Sequence, residues 1–440
     1  MPDQNDPGIV SSTGLSPLSK SETPRVLVEA YECSPVSSHA PGSTWEIITR
    51  LARWFELWVV TEATQYRSDI EACLSVHKDV AERLHFYFLP RAMKMLPKRK
   101  RPVLPIRETI EYRMWLKRSY KLARELHGRY GFSLVHHLRG NTFREPGYLW
   151  KLDLPFVWGP TGGTNAVPWH MLGELDARAR LQHLVRALLT SLQLRFSSRV
   201  RSALRTSHVL IAQTSHDQRM FRSIHGKDTV LIHEQGCSPE KYHQRYYDGK
   251  RPLNLAWIGR FVASKGLPFL LDALATLPER DRVRLHIAGA GPYEESWKKH
   301  ASMLGIAALC IWHGWLPQDS TLSLLDRCDL LVLTSLLEAT CTTVMDAISL
   351  GVPVICMNLC GFGDVVSSGP GIVISAKGAA EAKLGYAMAI SSILRSPKIV
   401  ETLSRKAYTT CKQSSWDAIA SGVREAYETA LQKQPAPAYA

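Results

Sequence analysis

The sequence predicts an α/β protein with two Rossmann-like domains, each a doubly wound parallel sheet, that face each other across a cleft. Two runs of alternating strand and helix patterns carry the prediction, one starting at Arg25 and the other at Leu253. Strands that alternate with helices in this way form parallel sheets covered on both faces. A polar stretch with few apolar residues separates the two runs. The length of 440 residues agrees with two or three domains.

The domain boundaries follow shifts in composition along the chain. The predicted units are a disordered leader, a first domain, a linker, a second domain, a final helix and a tail, at residues 1–24, 25–240, 241–252, 253–411, 412–433 and 434–440, respectively. The leader is polar and rich in serine and proline, and chain ends of this kind are seldom ordered. The final helix is amphipathic, so one of its faces is expected to pack on a domain.

The composition is that of a globular protein with an anionic partner. Hydrophobic residues make up 45% of the chain and charged residues 21%, which excludes wholesale disorder. The formal net charge of +14 indicates nucleic acid, anionic lipid or a phosphorylated small molecule as a partner. The nine cysteines lack metal-binding or redox spacing, which favours a reduced, cytoplasmic compartment. No apolar stretch reaches the length of a transmembrane helix, and no signal peptide is evident at the start.

The stretch from Asp329 to Pro353 predicts a strand, a turn and a helix that bring two acids to one ligand. Glu338 lies in the turn after the strand, and Asp346 follows eight positions later within the helix. The free N–H groups and the dipole at a helix N-terminus favour an anion. We therefore expect a phosphate-bearing ligand there whose hydroxyl groups bind the two acids.

Two cations follow another strand of the second domain. Arg260 and Lys265 come directly after the predicted strand at Asn254–Ile258. The carboxyl ends of parallel strands meet at one edge of a sheet, so both cations are expected near Glu338, where they match a diphosphate. No D-x-D motif occurs in the chain, so no carboxylate-held metal is expected and the two cations would stabilise the leaving group instead. Either residue alone could equally be an ordinary surface cation.

The first domain has three candidate elements at its strand ends. A loop from Tyr31 to Thr44 contains Gly42, a strand ends in His136 and His137 ahead of Arg139, and a later strand runs into a loop with Gly162 and Gly163. Glycines allow the backbone to approach a ligand closely, and histidines at a strand end are placed to touch one. A plain connecting loop and a structural histidine remain open alternatives. The last loop is not a P-loop, because no Lys-Ser/Thr pair follows its second glycine.

Two basic segments suggest an anionic membrane surface. Residues 91–107 interleave basic and aliphatic side chains without an acid, and residues 178–205 form a helical pattern with leucines on one face and arginines on the other. Both patterns suit the surface of an anionic bilayer. A solvated loop and a helix packed on its own domain are the alternatives. The segments lack the aromatic platforms of single-strand nucleic-acid binding, so no nucleic acid is expected as a partner.

The second domain resembles the donor-binding domain of the retaining GT-B glycosyltransferases, in particular the family numbered four. Several spaced motifs carry the resemblance, over roughly 253–374: Gly259-Arg260, Lys265-Gly266, Gly289-x-Gly291-Pro292, His313-Gly314, Glu338 with an acid eight residues later, Gly351-Val-Pro-Val and Gly361. The first domain resembles a subgroup with the patterns YECSP, PGxGW and WGPxGG, which stand here at Tyr31–Pro35, Pro41–Trp45 and Trp158–Gly163.

The resemblance implies roles for these residues. Catalytic roles fall on His136, Glu338, Arg260 and Lys265, with the two cations on the diphosphate and the other two near the transferred sugar. The implied donor site also includes Asp346 on the ribose hydroxyls, together with Gly42, Gly259, Gly291, Thr342 and Thr343. On the acceptor side the resemblance implies His137, Arg139, Gly162 and Gly163. The final helix is expected to cross back to the first domain.

The resemblance also implies the reaction. Members of the family transfer a sugar from a nucleotide-diphosphate sugar with retention of anomeric configuration and without a metal. The acceptor expected here is a saccharide or a lipid-linked saccharide in polysaccharide or glycoconjugate biosynthesis, at the cytoplasmic face of the membrane. A nucleotide-sugar epimerase, a phosphorylase, a nucleic-acid-binding protein and an inactive scaffold are the alternatives.

Three positions depart from the family pattern. Asp346 stands where glutamate is usual, Cys341 where glycine is common, and Thr44 replaces a glycine of the first-domain loop. These changes bear on the identity of the donor and the rate of transfer more than on the fold.

Overall fold

The computed structural model describes residues 23–37, 40–77, 82–92, 106–138, 142–338 and 341–433. Residues 1–22 of the predicted leader, the predicted tail, the basic stretch 93–105 and Arg139 lie outside these residues. Among the described helices, none combines the length and the apolar composition needed to cross a lipid bilayer.

The first domain is built on a seven-stranded parallel sheet in the order β3-β2-β1-β4-β5-β6-β7. Its strands are β1 to β7 at Arg25–Glu29, Glu56–Glu62, Leu84–Leu89, Leu134–His137, Phe156–Thr161, Val209–Ala212 and Val230–Leu231. Its described helices are α1 to α6 at Ala40–Leu51, Ala63–Val76, Ile106–Tyr130, Ala177–Phe196, Ser198–Thr206 and Ser215–His225.

The second domain is built on a six-stranded parallel sheet in the order β10-β9-β8-β11-β12-β13. Its strands are β8 to β13 at Leu253–Ile258, Val283–Ala288, Cys310–Gly314, Leu330–Leu333, Val354–Met357 and Gly371–Ile374. The described helices from here to the end of the chain are α7 to α14 at Leu267–Ala275, Glu294–Met303, Gln318–Asp326, Thr342–Ser349, Cys360–Val366, Ala379–Arg395, Lys398–Gln413 and Trp416–Gln432.

Both sheets reverse their strand order at a matching place. The first sheet does so between β1 and β4, and the second between β8 and β11. Crevices at such points, at the carboxyl ends of the strands, are where α/β proteins bind ligands. The predicted fold class is therefore confirmed, and the predicted site residues follow these strand ends.

Each domain contributes an element to the core of the other. Helix α14 packs on the first sheet, where Ile419, Val423 and Tyr427 join a hydrophobic cluster with residues of β1 and α1. In the reverse direction, Met171 and Leu175 of the first domain lie in the main cluster of the second. Burial of large apolar side chains contributes about 1.5–3 kcal/mol each, so these exchanged contacts help to fix the two domains against each other.

Three predicted elements differ from the structure. The expected glycine-containing loop after β12 is helix α11, which begins at Cys360. The expected loop around Gly42 is shorter, because α1 already begins at Ala40. The expected continuous helix 178–205 is two helices, because Ser197 leaves the helical conformation and its side chain caps the first turn of α5.

Candidate active site

An ion pair between Lys265 and Glu338 lies at the carboxyl edge of the second sheet. The Thr334 hydroxyl, which accepts from the Trp257 indole at 2.9 Å, donates to the carbonyl of Lys265 at 2.7 Å. This chain of hydrogen bonds fixes the backbone of Lys265 against the end of β11. The side chains of the pair remain 16% and 25% exposed, so a ligand can reach both.

Two cysteines form the floor beneath Glu338. The Glu338 N–H donates to Cys360 Sγ at 3.2 Å, and Cys360 has a positive φ of 56° at the start of α11. Burial raises the pKa of the Cys360 thiol to about 12 and also raises the pKa of Cys341, so both stay neutral. Sequence reasoning named Cys341 only as a departure and missed Cys360, because its role depends on a helix that was predicted as a loop.

Arg260 is exposed at the end of β8. Its guanidinium has no hydrogen-bond or ion-pair partner within the described part of the chain, which leaves it available for an anion. The backbone beside it is closely packed: a Cβ at Gly291 would lie 2.5 Å from the Phe261 carbonyl oxygen, at a φ of 158° that disfavours other residues. Gly259 supports the same packing, since its own carbonyl crowds Gly289.

The first turn of α10 follows Glu338. Thr342 and Thr343 open this eight-residue helix and are half-buried. The N-cap residue, Cys341, makes no side-chain hydrogen bond to the first turn. The helix therefore begins four residues after Glu338 without a side-chain cap from that residue.

Asp346 lines a second part of the site, a cavity of about 150 Å³ between the domains. Gln318 Nε2 donates to Asp346 Oδ2 at 3.2 Å. Burial raises the pKa of Asp346 to about 6, against the opposing effects of Gln318 and the nearby Lys241. Sequence reasoning missed Gln318 and Lys241, because no motif spacing connects them with Asp346.

The first domain supplies the opposite wall of this cavity. Gly42 and Ser43 of α1 line it together with Gln235, whose side-chain oxygen accepts from the Ser43 hydroxyl at 2.6 Å. A Cβ at Gly42 would lie 1.7 Å from the Ser37 carbonyl oxygen, so only glycine fits there. The structure thus brings Gly42 and Asp346 together. In the described residues, the lining of this cavity does not extend to Lys265 or Glu338.

The glycine-rich loop after β5 is fixed by Asp217. Thr164 donates to Asp217 Oδ1 through its N–H at 3.1 Å and its hydroxyl at 2.6 Å. A Cβ at Gly162 would lie 2.8 Å from Asp217 Oδ2, and Gly163 has a positive φ of 84°. The loop has no room for a side chain at Gly162. Sequence reasoning missed Asp217, although its Thr-x-x-Asp spacing at the start of α6 is typical of a helix cap.

The same helix start connects the domains. The Ser215 N–H and hydroxyl donate to the two oxygens of Asp364, in α11, at 2.9 and 2.5 Å. Because α11 begins at Cys360, this contact joins the glycine-rich loop of the first domain to the floor beneath Glu338.

His136 is fully buried rather than open to a ligand. Its Nε2–H donates to the Gly159 carbonyl at 2.7 Å, and its Nδ1 lies 2.7 Å from the Tyr427 hydroxyl, which donates to it. Burial lowers the pKa of His136 to about 3, so the ring is neutral. The prediction placed this ring near the reacting sugar. With both nitrogens bonded inside the protein, the geometry instead fits a residue that positions Gly159 and α14.

His137 is equally buried, and it is bonded to an acid that sequence reasoning missed. Its Nδ1 lies 2.6 Å from Glu29 Oε2, and both side chains are 1% exposed. Glu29 Oε1 and His137 Nε2 have no hydrogen-bond partner among the described residues. An acid as the last residue of a buried strand was the available signal. Arg139, predicted beside this pair, lies outside the described residues.

In the part of the chain that the structure describes, no group of three or more His, Cys, Asp or Glu side chains is arranged to hold a metal ion.

Part of the chain is similar in sequence to known proteins. Residues 240–410 match the family model described as Glycosyl transferases group 1. The glycogen synthase of Mycobacterium tuberculosis is 28% identical over 194 residues, which cover 42% of this chain and 45% of that protein. The chain thus spans less than half the length of this curated relative.

Solved structures resemble the chain along nearly its whole length. Sucrose-phosphate synthase from Thermosynechococcus elongatus has a TM-score of 0.62 at 14% identity, over 92% of this chain and 98% of that one. HepE from Anabaena, in complex with UDP and glucose, has a TM-score of 0.59 at 15% identity, over 92% and 99%. Residues 240–410 therefore carry the sequence pattern of the group 1 glycosyl transferases, on a two-domain fold shared with the GT-B glycosyltransferases.

Proposed function

We propose that the protein is a retaining, metal-independent glycosyltransferase that moves a hexose from a nucleotide-diphosphate sugar to a saccharide or lipid-linked acceptor. The observation that carries the proposal is the partly exposed pair of Lys265 and Glu338, together with the exposed Arg260, whose guanidinium has no partner among the described residues. The family match over residues 240–410 supports it. So does the cavity in which Asp346 faces the first domain.

The ion pair of Lys265 and Glu338 can open to admit a donor. A surface ion pair contributes about 0–1 kcal/mol, and a diphosphate replaces the carboxylate of this pair with another anion for Lys265, so a ligand can separate its members. The diphosphate then takes Lys265 together with Arg260, and Glu338 is released toward a sugar hydroxyl. As the bond to the anomeric carbon breaks, negative charge grows on the diphosphate. Preorganised cations stabilise that charge directly, which gives the leaving group support without a metal.

Asp346 is proposed to hold the ribose. Its carboxylate can accept both vicinal hydroxyls, and Gln318 fixes its orientation through the 3.2 Å hydrogen bond. Gly42 lines the other side of the cavity, where its lack of a side chain lets α1 pack against the Ser37 carbonyl. Gly259, Gly291, Thr342 and Thr343 are proposed to shape the donor site through their backbone, with the start of α10 turned toward the diphosphate.

The acceptor is proposed to lie over the carboxyl edge of the first sheet. The loop with Gly162 and Gly163 borders that edge, and Asp217 holds it rigid. His136 positions the same region through Gly159, and His137 does so through Glu29. These histidines act by orienting backbone and loop, since neither is exposed.

The biological setting is proposed to be polysaccharide or glycoconjugate assembly in the cytoplasm, next to the membrane. All nine cysteines are free thiols, which supports a reducing compartment. A membrane-bound acceptor agrees with the basic helical segment at 178–205, all of which lies in the described structure.

A nucleotide-sugar screen by thermal shift and calorimetry tests the proposal. We expect saturable binding of a UDP- or GDP-sugar that weakens about 10- to 100-fold in Arg260→Ala and in Lys265→Ala, because each removes a charge-assisted hydrogen bond of about 1.5–3 kcal/mol. Lys299→Ala removes an exposed cation of α8 and is the matched control. Failure of every nucleoside diphosphate and nucleotide sugar to bind would refute the proposal.

A further inference from the structure

Helix α4 presents an uncovered apolar face. Of its twenty residues, only Ala179, Thr190 and Leu194 are buried. Its C-terminal end packs against α5, whereas large apolar side chains along its length are exposed: Leu181, Leu184, Val185, Leu188, Leu189, Leu192 and Phe196. The exposed fractions of Leu181, Leu188 and Phe196 are 63%, 60% and 66%. Single exposed leucines are common in proteins, but a continuous stripe of this size marks an interaction surface.

The same surface is strongly basic. Residues 177–206 contain no aspartate or glutamate and have seven arginines: Arg178, Arg180, Arg186, Arg195, Arg199, Arg201 and Arg205. Two of them have structural tasks, since Arg199 pairs with Glu145 at 3.0 Å and Arg180 donates to carbonyls of the segment before the helix. Arg178, Arg195 and Arg201 are exposed. Exposed arginines thus accompany the apolar stripe.

The positive charge indicates which kind of partner could cover the apolar stripe. A second copy of the chain, seated stripe to stripe, would bring two acid-free arginine surfaces together, and like charges repel. The chain's own stretch 93–105 is also basic, with Lys94, Lys98, Arg99, Lys100 and Arg101 and no acid. An anionic lipid surface offers both an apolar interior and opposite charge, which complements the stripe and the arginines together.

We propose that helix α4 docks in the plane of an anionic lipid bilayer, with its apolar stripe in the acyl boundary and its arginines among the headgroups. Long arginine side chains reach the headgroups while their stems cover apolar surface. Trp169, which precedes the helix and is 83% exposed, adds a residue type that prefers the membrane interface.

The start of the helix is tied to the second domain. Asp176 caps α4 by accepting from the Ala179 N–H at 3.0 Å, and it also accepts from the Tyr293 hydroxyl of the second domain. Nearby, Glu174 pairs with Lys383 at 3.2 Å. Docking through α4 therefore orients both domains relative to the bilayer, and the cleft faces a lipid-linked acceptor at a fixed angle.

Flotation with lipid vesicles tests the docking without any enzyme assay. The full chain is mixed with vesicles of phosphatidylcholine alone or with about a third phosphatidylglycerol, a composition chosen for its charge. We expect the wild type to float with the anionic vesicles and far less with the neutral ones, and to be released as salt rises. Leu188→Glu and Arg195→Glu are each expected to reduce binding at least tenfold.

Leu384→Glu and Met388→Glu provide the matched control. Both residues are exposed apolar side chains of α12 in the second domain, at 60% and 62% exposure, and their change is expected to leave flotation unaltered. Light scattering coupled to size exclusion shows whether the stripe instead joins two copies. A wild-type dimer that Leu188→Glu converts to monomer would overturn the proposal, as would wild-type flotation no stronger than that of Leu188→Glu.

Nucleotide binding separates this proposal from the proposed function. Leu188→Glu is expected to keep the wild-type melting temperature and nucleotide-sugar affinity while it loses vesicle binding. The transferase proposal can therefore fail while the docking stands, and the reverse is equally measurable.

Discussion

The carboxyl edges of the two sheets hold their polar groups in opposite ways. In the second domain, Lys265 and Glu338 pair at a partly exposed position, and the guanidinium of Arg260 has no partner among the described residues. In the first domain, Glu29, His136 and His137 are at most 1% exposed and bond to one another, to Gly159 or to Tyr427. One edge keeps its charged groups within reach of solvent. The other holds its contacts fixed.

Because of this difference, substitutions at the two edges should affect stability and binding to different extents. Breaking a surface ion pair costs about 0–1 kcal/mol of folding free energy, and breaking a partly exposed one costs somewhat more, whereas leaving one buried charge without its partner costs about 3–5 kcal/mol. Changes at the second edge should therefore alter binding and turnover at nearly constant stability. Changes at the first edge should alter stability before they alter binding.

Glu338→Gln should produce the largest effect on turnover. We expect kcat to fall about 10²- to 10³-fold, the range typical when one preorganised polar group is lost from an active site. Binding of a nucleoside diphosphate should be unchanged or tighter, because the neutral amide no longer competes for Lys265. Steady-state kinetics and calorimetry measure the two quantities. Glu295→Gln, at an exposed position of α8, is the matched control; full turnover in Glu338→Gln would remove Glu338 from the mechanism.

His137→Ala should produce the largest effect on stability. It leaves the Glu29 carboxyl buried without its 2.6 Å partner, and we expect a loss of about 3 kcal/mol in the free energy of unfolding. Urea unfolding followed by circular dichroism measures the loss. His137→Asn retains an N–H donor near the position of Nδ1 and should recover most of it. If His137→Ala unfolds like the wild type, the two edges do not differ as described.

The sequence anticipated the second edge better than the first, for a physical reason. Arg260, Lys265 and Glu338 lie in the short segments that follow strands of a parallel sheet, so strand prediction brings them to one edge. The burial of His136 depends on Tyr427, which lies 291 positions away on the helix that crosses between domains. No local pattern carries that information.

Two further features needed the three-dimensional arrangement. The cavity shared by Gly42 and Asp346 exists only where the domains meet, so spacing within either domain could not predict its lining. The helical pattern at 178–205 identified an amphipathic segment, but the packing of α4 was needed to show that its apolar face stays uncovered. Periodicity tells which side chains share a face and leaves open what covers them.

Donor binding should depend on pH through Asp346. The pKa of this carboxyl is raised from its ordinary 3.8 to about 6, so the folded protein holds its proton over a range in which the unfolded chain has lost it. Asp346 therefore lowers stability as pH rises from about 4 to about 6, while the carboxylate that the proposed ribose contact requires forms. At pH 5 only about a tenth of the sites are ionised, so affinity for a nucleotide sugar should be about tenfold weaker than at pH 7.

Asp346→Asn provides the control for this pH dependence. The diphosphate of a nucleotide sugar is a diester without a proton that titrates in this range, so the protein supplies the change. Calorimetry at several pH values should show weaker but nearly constant affinity in the variant. An unchanged pH profile in Asp346→Asn would assign the dependence to another group.

Asp346→Glu should have the smallest effect. It tests how closely the two domains pack around the cavity that they share. The variant restores the longer acid that the family resemblance predicts, and the cavity of about 150 Å³ has space for one more methylene. We expect donor affinity to change by less than about threefold, which corresponds to about 0.6 kcal/mol, because Gln318 can follow the carboxylate. A loss above about tenfold would mean that Ser43 and Gln235 of the opposite wall already limit the space. The arrangement of the first domain would then set the length of the acid that the second domain can use.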